Sequence, residues 1–402
     1  MVNYEDEIRQ ETMNEIDLSY DVSDLEIREL IRNKIIEKSK MIPLSLQERV
    51  SIETHVFNSL RKLDVLEDLL SDEEITEIMI NGPDNIFIEK CGKVIHSSEH
   101  FSSEEKLNDI IQSIVANSNK IVNESNPIVD TRLEDGSRVN IVLKPAAVDY
   151  PILSIRKFPK EQMTMERLKG FGSISEEQIE FLKKLVESGY NIFVSGGTGS
   201  GKTSFLNALG EFIPSDERVI TIEDSAELQL KNVENLVRLE ARNANLEGKN
   251  EISIRDLLKS SLRMRPDRIV VGECRGAEAL EMLQAFNTGH DGSLSTGHSN
   301  SCKDMLSRLE TMVLMGAEIP LPAIRQQIAS GIDIIVQLGR LRDKSRKLLE
   351  ISEVEGLEDG EIKLNPLYKF KELDEEKGRI IGEWEKVGTL VHTEKLLANG
   401  MI

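Results

Sequence analysis

Apolar residues in this chain recur at two periods, and the alternation between them divides it into parts. Up to Glu29 the chain is rich in Asp and Glu and poor in large apolar residues. That predicts a solvated acidic extension over 1–45, or a segment that becomes helical on a partner. A single surface helix is predicted over 25–40 from Leu25, Leu30, Ile31, Ile35 and Ile36. Residues 46–158 read as a small α+β domain, opening with a helix from Leu44 to Leu63. Glu77-Ile78-Met79-Ile80 and Ile86-Phe87-Ile88-Glu89 read as strands joined by the turn Asn81-Gly82-Pro83-Asp84. Ser102-x-x-Glu105 reads as a capping box. The helix it opens carries Leu107, Ile110, Ile111, Ile114 and Val115 on one face. Strands are predicted at 138–143, after the turn Glu134-Asp135-Gly136-Ser137, and at 152–157.

A polar stretch over 159–175 reads as a linker to a second domain, 176–402. Ser175-x-x-Gln178 caps a helix through Phe181, Leu182, Leu185 and Val186, and Gly189 falls where that helix should end. Strands are predicted at 191–195, 218–223, 268–273, 293–296 and 332–338, and helices at 202–211, 253–263, 276–287, 302–315 and 321–330. This alternation predicts an α/β fold: a doubly wound, mainly parallel sheet with helices on both faces. Residues 348–354 and 361–364 predict a late hairpin.

Between the first of those strands and its helix lies Gly196-Gly197-Thr198-Gly199-Ser200-Gly201-Lys202-Thr203, a full match to the phosphate-binding loop G-x-x-x-x-G-K-[ST]. Four glycines let the backbone curl so that successive N–H groups face one point. The following helix adds the positive end of its dipole. Lys202 has the reach for β- and γ-phosphates, and the Thr203 hydroxyl suits Mg²⁺. A Gly/Ser linker would not sit between a buried strand and an amphipathic helix. The loop therefore predicts nucleotide binding, with ATP and Mg²⁺ as the ligands.

The 402 residues carry a net charge of −21 and only 4% aromatics, which disfavours a protein built to grip nucleic acid. No apolar run approaches membrane-spanning length, and the acidic N-terminus lacks the form of a signal peptide, so a cytosolic protein is predicted. Cys91, Cys274 and Cys302 form no pair motif, which suits a reducing compartment.

A phosphate loop needs a carboxylate at a neighbouring strand end. Arg268 to Glu273 supplies one, with Gly272 where the common pattern has Asp and Glu273 one step on. Glu223, Asp224 and Glu227 end a second strand, where a metal–phosphate site wants negative charge. His290 and His298, two of six histidines, stand in a Gly/Ser/Thr-rich stretch that reads as a phosphate-sensing loop. A zinc site of His290, His298 and Cys302 would lack a fourth ligand at any standard spacing. Arg132, Arg138, Arg156 and Lys157 are basic groups that could close over a γ-phosphate from the first domain.

Taken together, these segments resemble the secretion and pilus ATPases of type II and type IV secretion systems, most closely the CpaF-type ATPases of tight-adherence pili. The resemblance covers about residues 50–370. It rests on Asn81–Asp84, Thr131–Arg138, the phosphate loop, Thr221–Asp224, Leu262–Arg268, Val271–Glu273 and His290–His298. It implies a homohexamer with a PAS-like N-terminal domain and a RecA-like ATPase domain, driving an inner-membrane platform protein. It makes the segment around Glu223 an Asp box, Val270–Glu273 a Walker B strand, and His290 with His298 a His box. Glu273 becomes the catalytic carboxylate, His298 a γ-phosphate contact, and Arg132, Arg138 and Arg156 candidate arginine fingers. The tetracysteine zinc module of the type II branch is absent. Two rival readings are a RecA-type nucleic-acid motor and a nucleotide-gated scaffold without turnover.

Overall fold

The computed structural model describes residues 4–16, 22–90, 92–118, 120–159, 161–242, 244 and 249–402. Cys91 lies outside them. The chain divides into two compact units, Met1–Lys160 and Glu161–Ile402.

The first unit opens with α1 (Tyr4–Glu15), α2 (Asp24–Ser39) and α3 (Leu46–Arg61). The acidic segment is thus not a solvated tail with a lone surface helix. Ile27, Ile31 and Ile35 recur every fourth residue along α2 and share a core with Ile8, Ile52, Val56 and Phe57. Reciprocal capping boxes, Ser23 with Glu26 and Ser45 with Glu48, start the second and third helices.

Next come α4 (Leu66–Ser71), β1 (Ile75–Asn81), β2 (Ile86–Lys90), β3 (Lys93–His96), α5 (Glu104–Asn117), β4 (Ile128–Arg132), β5 (Arg138–Val142) and β6 (Ile152–Arg156). The strands form an antiparallel sheet in the order β3-β2-β1-β6-β5-β4. All five apolar residues predicted for one face of α5 are buried against it. The cap is one residue later than predicted: Ser103, not Ser102, accepts the Lys106 N–H at 3.2 Å.

The second unit contains α6 (Met165–Gly170), α7 (Glu176–Glu187), β7 (Ile192–Gly196), α8 (Lys202–Gly210), β8 (Arg218–Glu223), β9 (Asn235–Glu240) and α9 (Ile254–Ser261). It continues with β10 (Arg268–Val271), α10 (Ala279–Phe286), β11 (Leu294–Gly297), α11 (Cys302–Gly316), α12 (Leu321–Gly331) and β12 (Ile334–Arg340). The chain ends with β13 (Arg346–Glu358), β14 (Glu361–Glu376), β15 (Arg379–Lys386) and α13 (Glu394–Ala398). A nine-stranded mixed sheet runs β15-β14-β13-β12-β7-β11-β10-β8-β9. From β12 to β9 every pair is parallel; β13 to β15 form an antiparallel extension.

Side-chain parity explains the two layers of helices. Ile192 and Val194 face a core shared with α7 and α8, whereas Phe193 faces a core shared with α9 to α12. Because the parallel strands all run one way, their C-terminal ends gather the phosphate loop, Glu223, Glu273 and His298 along one edge.

Candidate active site

The phosphate loop joins β7 to α8. Gly199 and Gly201 hold φ of +71° and +92°, which L side chains rarely adopt. A Cβ on Gly196 would lie 2.5 Å from Ser200 Oγ and 2.7 Å from the Leu338 carbonyl, so only glycine fits there. Thr198 stands exposed at the loop tip, Gly197 is half-buried, and Thr203, in the first turn of α8, is half-buried.

Lys202 is buried. Its Nζ donates to the carbonyls of Gly196 (3.1 Å) and Gly197 (3.2 Å) and lies 3.1 Å from His298 Nδ1. An ammonium only donates, so Nδ1 must accept, and the imidazole proton sits on Nε2. That Nε2 lies 2.6 Å from Glu273 Oε1. The pair is close but poorly aligned, so Oε1 carries no well-formed hydrogen bond. Burial lowers the His298 pKa; Glu273 opposes this, while Lys202 and Arg275 reinforce it. The imidazole is therefore neutral near pH 7 and links the loop lysine to the strand-end acid.

Two further hydrogen bonds fix that acid. Thr296 Oγ1 donates to the Gly272 carbonyl at 2.8 Å, and the Cys274 N–H donates to the Thr296 carbonyl at 2.8 Å. They lock the end of β10 to the end of β11, which sets Glu273 beside His298. Gly272 has its own steric reason. A Cβ there would lie 2.8 Å from Glu223 Cγ, so an aspartate at this position would displace Glu223.

Glu223 is buried at the end of β8. Its Oε2 accepts the N–H groups of Glu227 (2.8 Å) and Leu228 (2.9 Å), while its Oε1 is buried with no partner among the described residues. Burial pushes its pKa from 4.5 up to about 6, against those two hydrogen bonds. Asp224 is exposed and lies 3.5 Å from Arg275, whose other nitrogen donates to Glu273 at 2.6 Å. Arg275 thus bridges two site acids, a role its own sequence context did not signal. A groove of about 470 Å³ opens beside this cluster, lined by Arg275, His298, Asn300, Asp304 and Arg308.

His290 does not join His298. It precedes β11, so it sits at the opposite end of that strand, with Nδ1 3.1 Å from the Ala285 carbonyl. Cys302 is buried at the start of α11, so His290, His298 and Cys302 do not converge. Among the described residues no group of three or more His, Cys, Asp and Glu side chains is placed to hold a metal by itself.

The three arginines predicted in the first unit form a row. Register pairs Arg132 with Arg138, Arg138 with Arg156, and Arg156 with Glu77 across β4, β5, β6 and β1. Directly paired residues share a face, so three like charges stand side by side there. Lys157 instead turns to the backbone, donating to the Asp72 carbonyl at 2.5 Å. Sequence reasoning missed Arg340 and Arg346, which come beside the loop through the β12–β13 hairpin. Arg346 Nε donates to the Gly199 carbonyl at 2.9 Å.

A glycine-cradled phosphate loop, a buried lysine on a neutral imidazole and a strand-end glutamate define a nucleoside-triphosphate hydrolase of the phosphate-loop class. Residues 59–383 match the model of the Type II/IV secretion system protein family, and the chain belongs to that family. It is an ATPase of the type II/IV secretion system family. It is 32% identical over 290 residues to the conjugal transfer protein TrbB of Rhizobium radiobacter, covering 71% of this chain and 86% of that protein. It is 31% identical over 327 residues to the type IV secretion system protein VirB11 of Bartonella henselae, covering 71% and 90%. The ADP-bound pilus retraction motor PilT shares the fold, with TM-score 0.51 and 20% identity over 76% of this chain and 81% of that one. Among the described residues no helix is long and apolar enough to cross a membrane.

Proposed function

We propose that this ATPase is the motor of a pilus-assembly system of the tight-adherence type. In this reading it works as a homohexamer at the cytoplasmic face of the inner membrane and drives a membrane platform protein. The observation that carries the catalytic part is the file Lys202–His298–Glu273 at the mouth of the loop. The tight-adherence assignment is supported by Asn81–Asp84, Thr131–Arg138 and Leu262–Arg268, and by a cysteine count too low for a tetracysteine module.

ATP lies with its phosphates on Gly196 to Thr203. Thr203, Glu223 and Asp224 would hold Mg²⁺, and Glu273 would contribute to it through water. A buried carboxylate oxygen lacking a donor, as at Glu223, suits a cation or its bound water. Mg²⁺ when bound neutralises charge on the β- and γ-phosphates. Glu273 orients the attacking water, and His298, neutral and pinned between Lys202 and Glu273, keeps base and phosphate-binding cation in line. The row Arg132, Arg138 and Arg156 supplies positive charge to the γ-phosphate, in its own subunit or a neighbour's. The RecA-like unit closes and opens against the PAS-like one through a hinge in 157–175, which turns hydrolysis into motion.

The test is steady-state ATPase activity of wild type, Lys202→Ala and Glu273→Gln, with particle mass, alone and with single-stranded DNA. A hexamer whose turnover falls at least about 100-fold in both variants and ignores DNA is expected. Undiminished turnover in Lys202→Ala would sink the assignment of the site. Strong stimulation by DNA would favour a second reading, a conjugation motor, which the resemblance to a conjugal transfer protein supports.

A further inference from the structure

Arg346 opens β13 and reaches across to the tip of the phosphate loop. Its Nε holds the Gly199 carbonyl at 2.9 Å, and a Cβ on Gly201 would come within 3.3 Å of its Cδ. The carbonyl it holds belongs to the peptide between Gly199 and Ser200. In a trans peptide C=O and N–H point to opposite sides. Holding the oxygen on the Arg346 side therefore turns the Ser200 N–H inward, where it donates to the Gly197 carbonyl at 3.3 Å. A bound phosphate would take that N–H over from the Gly197 carbonyl, and the positive φ of Gly199 is what lets the peptide stand this way round.

The two residues after Arg346 face elsewhere. Lys347 Nζ donates to the Gly172 carbonyl, and the Leu348 N–H donates to the Ser173 carbonyl at 2.9 Å. Gly172 and Ser173 belong to the segment that leads into α7. Three consecutive residues of one strand thus hold the phosphate loop on one side and the α6–α7 turn on the other.

We propose that Arg346 is a positioning residue of the phosphate loop, and that the start of β13 couples the loop's orientation to the α6–α7 turn at Gly172–Ser173. The contact is intramolecular and distinct from the arginine row of the first unit. It fixes a donor before the nucleotide arrives, so its share of binding is the same for ground state and transition state. The proposal rests on the ATPase assignment.

The test uses the full chain as wild type, Arg346→Ala, Arg346→Lys and Lys202→Ala. KM and kcat for MgATP are measured, with affinity for a fluorescent ADP analogue and amide exchange at Leu348 with and without ADP. Arg346→Ala should raise KM and weaken ADP about threefold to tenfold with kcat nearly unchanged. Arg346→Lys, which keeps a donor, should recover part of that loss. ADP should slow exchange at Leu348 in wild type and not in Arg346→Ala. A merely structural role would lower kcat through loss of folded protein and leave KM alone. Wild-type KM and ADP affinity in Arg346→Ala, or a Leu348 response that survives the substitution, would overturn the proposal. Normal turnover in Lys202→Ala would show instead that the nucleotide site itself is misplaced. If Arg346→Ala melts early, Arg346→Met decides: it keeps a long side chain but no donor, so weaker ADP binding upholds the donor role and wild-type ADP affinity removes it.

Discussion

At the scale of single residues, Glu223 carries a buried charge at a cost to stability. One oxygen is satisfied by two backbone N–H groups, while the other is buried without a donor. Its pKa is raised to about 6 from an ordinary 4.5. Below pH 4.5 the carboxyl is protonated in the folded and unfolded chain alike, and it costs nothing. As pH rises through 4.5 to 6, the unfolded chain ionises first, and native stability falls. Above pH 6 the ionised group costs about 2 kcal/mol. Glu223→Gln keeps an oxygen for both N–H groups and removes the charge. The variant should therefore gain up to about 2 kcal/mol over wild type at pH 8, gain nothing at pH 4, and lose ATPase activity. Thermal melts across that range check it; a variant less stable than wild type at pH 8 would mean that Glu223 is held as a paired carboxylate.

At the scale of elements, the antiparallel extension of the sheet binds the C-terminal segment. Glu353 on β13 is buried and accepts the N–H groups of Val391 (2.9 Å) and His392 (2.7 Å) and the amide of Asn365 (2.9 Å). Tyr190 donates to the His392 carbonyl at 2.6 Å, and Lys395 of α13 reaches Asp291 and Asp333, each at 2.9 Å. Glu353→Ala strands several donors at once, at a cost of about 2–4 kcal/mol. Limited proteolysis should then cut first between 387 and 402, and Glu353→Gln, which keeps an acceptor, should resist far better. Equal cutting in both variants would show that packing of α13 holds the segment instead.

At the scale of the whole molecule, the core of α1–α3 is separate from the sheet core of the same unit. Ile31 lies fully buried at its centre. Ile31→Ala removes buried methyl groups and should cost about 2–4 kcal/mol. If the three helices open as their own cooperative unit, amide exchange should rise across residues 4–61 while turnover per site stays at the wild-type value. Loss of protection spread evenly into β7 and α8 would show one cooperative molecule instead.

The parallel strands and their helices were legible because burial on both faces makes near-continuous apolar runs, as in Ile192–Val194 and Ile269–Val271, and because period decides helix from strand. The phosphate loop was legible because its chemistry is local: glycines for the turn, then lysine and threonine. Sequence alone also determined that Glu223, Glu273 and His298 follow strands, which in a parallel sheet places them on one edge. The short or half-exposed elements were not legible. β9, with its alternating charges, and α6, six residues inside a polar stretch, carry too little apolar pattern. Nor does the acidic N-terminal segment spell out a bundle, since its few isoleucines gain a core only when three helices meet. Everything that depends on a distant partner was left to tertiary structure. A four-residue strand between His290 and His298 sends them to opposite edges of the sheet. Strand register turns three scattered arginines into a row. A hairpin return brings Arg346 from 147 residues away onto Gly199. Local patterns encode the elements and the chemistry within them, but contacts between distant residues exist only once register and packing have closed.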